Sequence, residues 1–359
     1  MISLLQIFRK RAMTSMITEH DVTVVVCTYN GEARIAACLE SLLSQTKPVK
    51  VLVIDDGSTD ATAEIVKSLG IEIVSLSNNM GIAEAREAAL NVVQTSHIAF
   101  TDDDCIATTD WVENFVNSWN NAPAETSAIG GPVSVGNPNS FLEEFLQECN
   151  PLAPIEMHWS QNTGLIGRAR YYLRANGEGQ HQHRPVISMP TANLLCSRER
   201  AIQAGGFLSS NGVRGGEDER LCSRLRGTFG EETLWFDPQV KVLHWFEPTF
   251  RDFARRAYKQ GRNSGQRWVS ERGIPSLPPM ASLVLLATLL AGLCLPSWSW
   301  LPVLLIPPLL HSSWVTSALR NRSLGRLGFP YVLLGQELVK LGSFFIGILK
   351  SLKAGRSKS

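Results

Sequence analysis

The chain has 359 residues, 44% hydrophobic and 19% charged, which allows about two or three domains or one large domain with appendages. A formal net charge of +1 gives no whole-chain case for a nucleic-acid binder. Seven scattered cysteines without a CxxC pair exclude a disulfide frame and a structural zinc site, and read as reduced thiols of a cytoplasmic protein.

Residues 1–20 hold a few apolar side chains followed by Arg9, Lys10 and Arg11. A secretory signal has its basic residues ahead of a longer apolar core, so this order predicts a short leader. Residues 22–27 are β-branched or apolar and predict a strand buried on both faces. After Thr28, Tyr29, Asn30 and Gly31, the spacing of Ile35, Leu39, Leu42 and Leu43 predicts a helix over 32–44. Residues 49–54 read as a second strand ending at Asp55, Asp56 and Gly57, with a helix over 59–69 capped by Gly70.

A third strand, 71–76, leads through Asn79, Met80 and Gly81 to a helix striped by Ala85, Ala89, Val92 and Val93. A fourth, 97–100, delivers Asp102, Asp103 and Asp104. Strands alternating with helices predict an α/β fold with a mostly parallel sheet, whose ligands bind at the carboxyl ends of the strands. There the three carboxylates face either water or a cation, because side by side they repel and are costly to bury.

Further on, Asp110 and Glu113 open a helix carrying Trp111, Phe115 and Trp119, and 128–135 reads as another strand. Residues 150–185 lack a period and predict a long loop over the site. Then come Thr191, Ala192 and Asn193, and a helix with Leu221 and Leu225 directly after Gly215, Gly216, Glu217 and Asp218. From 276 the composition changes: 276–295 and 297–319 carry no charge apart from a titratable His311, with Trp298 and Trp300 between them. Each run is about the ~20 residues a membrane span needs. Arg255, Arg256, Lys259, Arg262, Arg267 and Arg272 precede the pair and Arg320, Arg322 and Arg326 follow it, which puts both ends in the cytoplasm. The run 331–349 is interrupted by Glu337 and Lys340 and is expected to lie in the interface.

Taken in order, the 24–31 turn, the Asp55, Asp56, Gly57, Ser58 turn, Asn79-Met80-Gly81 with Arg86, the Asp triplet and Gly216-Glu217-Asp218 resemble the family 2 glycosyltransferases. The resemblance covers roughly residues 20–260 and implies the GT-A, nucleotide-diphospho-sugar transferase fold. It implies an inverting transfer from a nucleotide-diphosphate sugar, UDP- or dTDP-linked; the membrane segments beside the domain suit a lipid-linked or cell-envelope glycan as the acceptor. Thr28, Tyr29, Asn30, Glu32, Asp56, Arg86, Asp102 and Asp103 would then grip the nucleotide sugar. Asp104, with Asp102 and His244 as further candidates, would hold Mg²⁺ or Mn²⁺ against the diphosphate. Asp218, or Glu217 beside it, would be the base, and Thr191, Ala192 and Asn193 would line the donor sugar and acceptor. Each has an ordinary use as well: Asp56 in a turn, His244 in a core, Asp218 and Glu217 at a helix start.

The expected organisation is a leader (1–20), a GT-A domain (21–260), a basic juxtamembrane segment (261–275), a two-helix membrane hairpin (276–319) and a basic, amphipathic cytoplasmic segment (320–359). That makes a multi-pass protein of the inner, cytoplasmic membrane with its catalytic domain inside and lipids as partners. Two rivals remain. A nucleotidyltransferase would show a Gly-rich basic loop after the first strand, where this chain has one Gly and one Arg; a catalytically inactive binding relative would have lost the acidic groups. No GxGxxG follows the first strand, against a nicotinamide dehydrogenase.

Overall fold

In the computed structural model, the described residues are 16–136, 138–157, 182–209, 215–246, 249–270, 318–319 and 322–356. The predicted membrane hairpin falls almost wholly outside them, as do most of the leader and of the 150–185 loop. The elements follow in chain order. They are β1 (Val22–Thr28), α1 (Ile35–Leu43), β2 (Lys50–Asp55), α2 (Thr62–Ser68), β3 (Glu72–Ser75), α3 (Ile82–Val92), β4 (His97–Asp102), β5 (Cys105–Ala107) and α4 (Trp111–Asn121). Next are β6 (Ala128–Gly130), β7 (Val133–Val135), α5 (Phe141–Glu148), β8 (Ile155–Glu156), β9 (Arg184–Ser188), β10 (Asn193–Ser197) and α6 (Arg198–Gln203). Last are α7 (Glu217–Phe229), β11 (Leu234–Phe236), β12 (Val242–His244), α8 (Phe250–Ser270) and α9 (Phe329–Arg356).

The large sheet has the order β3-β2-β1-β4-β10-β6-β11-β9-β8, and all its strands run one way except β10 and β9. This is the α/β, mostly parallel GT-A architecture expected from the sequence. Every residue of β1 is buried, as a strand with helices on both faces requires. One apolar layer packs Ile35, Leu39, Trp111 and Phe115 on Val24, Val26 and Ala99; the opposite layer packs Ala85, Ala89, Phe207 and Leu221 on Val25, Leu52 and Phe100. The register pairs Thr28 with Asp55 and Cys27 with Asp102, so the carboxyl ends of the parallel strands form one edge. Because β10 runs antiparallel, with Asn193 opposite Thr101, its beginning reaches that same edge.

The strand expected over 128–135 is two strands in two sheets. Gly131 and Pro132 break it, since proline cannot donate to the ladder, and the chain crosses from β6 in the large sheet to β7 in a small one of order β5-β12-β7. The crossing is tight: a Cβ on Gly131 would collide with the Val240 carbonyl and lie 2.8 Å from that of Asp237. Backbone cannot yield as a flexible side chain would. Gly131→Ala should therefore cost about 1–3 kcal/mol, read as a lowered urea midpoint; an unchanged midpoint would show that the crossing is not rigid.

Two other expectations shift, and one further helix appears. The chain joins the domain before residue 21: Ile17 is buried and exchanges hydrogen bonds with Asn120, its N–H donating to Oδ1 (2.9 Å) and its carbonyl accepting from Nδ2 (2.8 Å). Helix α5, which lies outside the predicted elements although Leu142, Phe145 and Leu146 form a buried helical stripe, is capped by Ser140, whose hydroxyl accepts from the Glu143 amide. Helix α8 runs unbroken through the boundary expected at 260. It lies parallel against α9: a Cβ at Gly261 would collide with Lys340 and Ser343, at Gly265 with Phe344, and at Gly347 with Arg262. The segment Leu324–Leu352 is long and apolar enough to cross a membrane by length and composition. All six described cysteines are free.

Candidate active site

The carboxyl edge of the sheet gathers Thr28, Asp56, the Asp triplet, Thr191 and the start of α7 around Arg86. This arginine stands on the buried face of α3, between Ala85 and Ala89, and is 4% exposed. Its Nη1 donates to Glu217 Oε1 (2.9 Å) and Asp218 Oδ1 (2.8 Å), and its Nη2 donates to Asp102 Oδ1 (2.8 Å). Burial works against its charge, yet Asp218, Asp102 and Glu217 hold its pKa above the ordinary value. One guanidinium thus ties the end of β4 to the start of α7.

Asp218 Oδ1 also accepts from the Thr191 hydroxyl (2.6 Å), and its other oxygen has no hydrogen bond among the described residues. Burial pushes the Asp218 pKa up to about 6, against the pull of Arg86 and with Glu217 adding to the rise. That is a carboxylate ionised at neutral pH yet basic enough to accept a proton. Glu217 is 8% exposed, and its Oε2 is buried without a partner among the described residues.

The triplet splits three ways. Asp102 turns to Arg86. Asp103 turns under β1, where Thr28 Oγ1 donates to its Oδ2 (2.6 Å) and Arg34 Nη2 lies 3.3 Å from both its oxygens. Burial raises its pKa against those two donors. Asp104 faces His244, with Oδ1 3.3 Å from Nε2.

The register of the small sheet makes the last pair. Strand β5 starts directly after Asp104 and runs antiparallel to β12 with Cys105 opposite His244, and the Trp245 amide donates to the Asp104 carbonyl (2.9 Å). Burial, with Asp102 and Asp103 alongside, pushes Asp104 up to about 7; burial pushes His244 down to about 4, leaving a neutral imidazole. The His244 ring stacks on Phe246 at 4.2 Å, and Nδ1 is buried without a partner among the described residues.

Asp104, Cys105 and His244 offer ligand atoms that converge. A carboxylate and a neutral imidazole about 3 Å apart suit neighbouring positions around Mn²⁺ or Mg²⁺. The Cys105 thiol, its pKa raised well above the ordinary value by burial, is a poor ligand for so hard a cation. The residues fit a divalent ion through Asp104 and His244, with Asp102 nearby but engaged by Arg86.

The other sequence candidates divide into rim and scaffold. Tyr29 is 45% exposed on the rim. Asn30, at φ 49°, accepts from the Thr59 amide (2.9 Å), and Glu32 accepts from that of Ala61 (3.0 Å), so both tie the β1 turn to the β2 turn. Both Asp56 oxygens accept backbone N–H groups, from Met80 and Gly81 (2.8 Å each), and fix the entry to α3. Ala192 is buried and its carbonyl accepts from Thr101 Oγ1 (3.0 Å). Asn193 is buried inside the scaffold, accepting from Trp111 Nε1 (2.9 Å) and donating to the Pro132 and Val240 carbonyls.

Arg34 was missed, although the sequence holds a signal for it. It is basic at the N-terminus of α1, where the macrodipole favours acids, so a local carboxylate must compensate.

A glycosyl transferase family 2 model matches residues 23–174. The chain is 31% identical over 259 residues to glycosyltransferase AglE of Haloferax volcanii, covering 70% of this chain and 75% of that protein. It is 26% identical over 235 residues to the glucosyl-dolichyl phosphate glucuronosyltransferase of the same organism, covering 62% of this chain and 68% of that one. Of some other curated relatives it spans less than half the length. Among solved structures, the mannosyltransferase PcManGT from Pyrobaculum calidifontis, in complex with GDP-Man and Mn²⁺, matches with a TM-score of 0.54 over 96% of this chain and 94% of that one; at 17% identity this is a likeness of fold.

Proposed function

The chain belongs to glycosyltransferase family 2, and on that premise we propose that it transfers a sugar, with inversion, from a nucleoside diphosphate sugar to a lipid-linked or cell-envelope glycan acceptor. The observation that carries the reading is the Arg86 bridge: it holds Asp102, on the donor side of the edge, and Asp218, the proton acceptor, in one rigid unit. Asp218 takes the proton of the acceptor hydroxyl on the oxygen that Arg86 and Thr191 leave free. Glu217 offers its unpartnered oxygen to orient the acceptor. On the donor side Tyr29 stacks on the base, while Asp56 shapes the loop beneath it and Thr28 and Asp103 brace the strand ends.

Asp104 and His244 would hold Mn²⁺ or Mg²⁺, which supplies positive charge to the departing diphosphate. The relative named for a dolichyl phosphate substrate supports a lipid-borne acceptor. A membrane location, with the catalytic domain in the cytoplasm, is supported by the uncharged runs at 276–319 and by α9.

The test is nucleotide release from a panel of UDP-, dTDP- and GDP-sugars with Mn²⁺ or Mg²⁺ and a polyprenyl-phosphate glycan extract. Turnover with one donor is expected, and chelation should abolish it. Asp104→Ala should lower turnover at least about tenfold and raise the Mn²⁺ concentration needed. A panel with no turnover, or Asp104→Ala matching the parent, would sink the reading. For location, a reporter fused after Ser359 should remain in the cytoplasm, and its appearance outside would refute the two-span hairpin.

A further inference from the structure

Helix α7 opens on three consecutive acids, Glu217, Asp218 and Glu219, and has no side-chain cap. Arg86 neutralises the first two. The third, on the outer side, pairs with Arg267 of α8. Ahead of them Gly215 and Gly216 are both left-handed, at φ 83° and 72°, so their backbone conformation is one that only glycine adopts freely.

The missing Cβ atoms are also a matter of space. A Cβ on Gly216 would collide with the Arg267 guanidinium, and one on Gly215 with the Asn263 amide. Arg267 is 19% exposed on its side chain and fills that space, while Glu219 is 52% exposed. The ion pair alone, at the surface, is worth little; the packing of a rigid, planar cation against the glycine turn is what gives it purchase. Helix α8 is itself held by the glycine contacts with α9. Nearer its start, Arg256 lies over Phe246 (5.5 Å), the ring stacked on His244. One helix therefore backs both halves of the site.

We infer that Arg267 is a positioning residue: from α8 it fills the space beside Gly216, pairs with Glu219, and so fixes the first turn of α7 on which Asp218 stands. The inference rests on the reading of Asp218 as base, and its test separates the two. The Arg220 amide, which donates to the Gly216 carbonyl at 2.9 Å, reports on that turn.

In hydrogen exchange on the full chain, Arg267→Gln should speed exchange of the Arg220 and Leu221 amides about tenfold or more while β1 and β4 keep their protection. Affinity for UDP and GDP, each with Mn²⁺, should stay within about threefold of the parent. With the donor that turns over, kcat should fall about tenfold at constant donor KM, and Arg267→Lys, which restores the charge but not the planar packing, should regain only part of it. Should Arg267→Gln unfold the domain, Arg267→Lys, which keeps the charge but loses the planar packing on Gly216, carries the same exchange prediction on a smaller scale, while Glu219→Gln, which removes only the exposed partner, should change little. Unchanged exchange at Arg220 would overturn the inference, as would lost nucleotide affinity with that exchange intact, which would make Arg267 a phosphate ligand instead. Full transfer by Asp218→Asn would sink the reading of the base and leave the exchange result standing.

Discussion

Asp218→Asn should lower transfer by roughly 10²–10⁴-fold, the usual contribution of a positioned base, and leave Mn²⁺–nucleotide binding within about threefold of the parent. Asparagine keeps the size of the side chain and an oxygen for Arg86 and Thr191, so what it removes is the proton acceptor. The pH profile gives a second readout. The base works ionised, and burial pushes Asp218 up to about 6. Below that pH the ionised fraction falls tenfold per unit, so kcat of the parent should drop with it and level off above. The residual activity of Asp218→Asn should lack that limb. Steady-state nucleotide release between pH 5 and pH 8, estimated as roughly the span that brackets such a base, checks both. Loss of donor binding together with transfer would assign Asp218 to the donor instead.

The parallel half of the fold was legible because its signal is local: residues 22–27 can be little else than a buried strand, and each helix that follows carries its own apolar stripe. The Asp102, Asp103, Asp104 triplet and the Gly216-Glu217-Asp218 run were legible for the opposite reason, as charge where a sheet edge gives no structural reason for it. What the sequence hid was pairing at long range. His244 meets Asp104 only through the β5 and β12 register, about which a strand of three residues says nothing on its own. The break at Gly131 and Pro132 was visible as letters, yet its consequence, a second sheet, depends on where β12 lies.

The same limit explains why candidates of equal standing in the sequence part company in the fold. Asn193 and Thr191 belong to one short run, but Thr191 lies in the turn ahead of β10, whereas Asn193 is the first residue of that strand. Thr191 reaches Asp218, while Asn193 points into the scaffold to hold Trp111 and the Val240 carbonyl. Likewise Asp103 lies between two site carboxylates and serves Thr28 and Arg34.

Arg86→Met should be the most destabilising single change in the site, by about 3–5 kcal/mol, because it leaves buried carboxylates without their counter-ion. Methionine matches the stem of the side chain and fits between Ala85 and Ala89, so little of the loss would come from packing. The sign of its pH dependence identifies the cause. Burial already raises the Asp218 pKa against the pull of Arg86, so without the guanidinium this carboxylate would bind its proton more tightly still in the folded chain, and stability would then fall as pH rises through its raised folded pKa. The deficit of Arg86→Met against the parent should therefore be greatest at neutral pH and shrink as the pH is lowered toward the carboxylate range. Arg86→Lys, which keeps a charge but cannot fork to three acceptors, should fall between the two. Urea midpoints at neutral and acid pH measure this, with a shift of about 1 M or more expected at neutral pH. A deficit that does not change with pH would mean that Arg86 acts by packing, and the link between the donor edge and the base would have to be sought in the backbone.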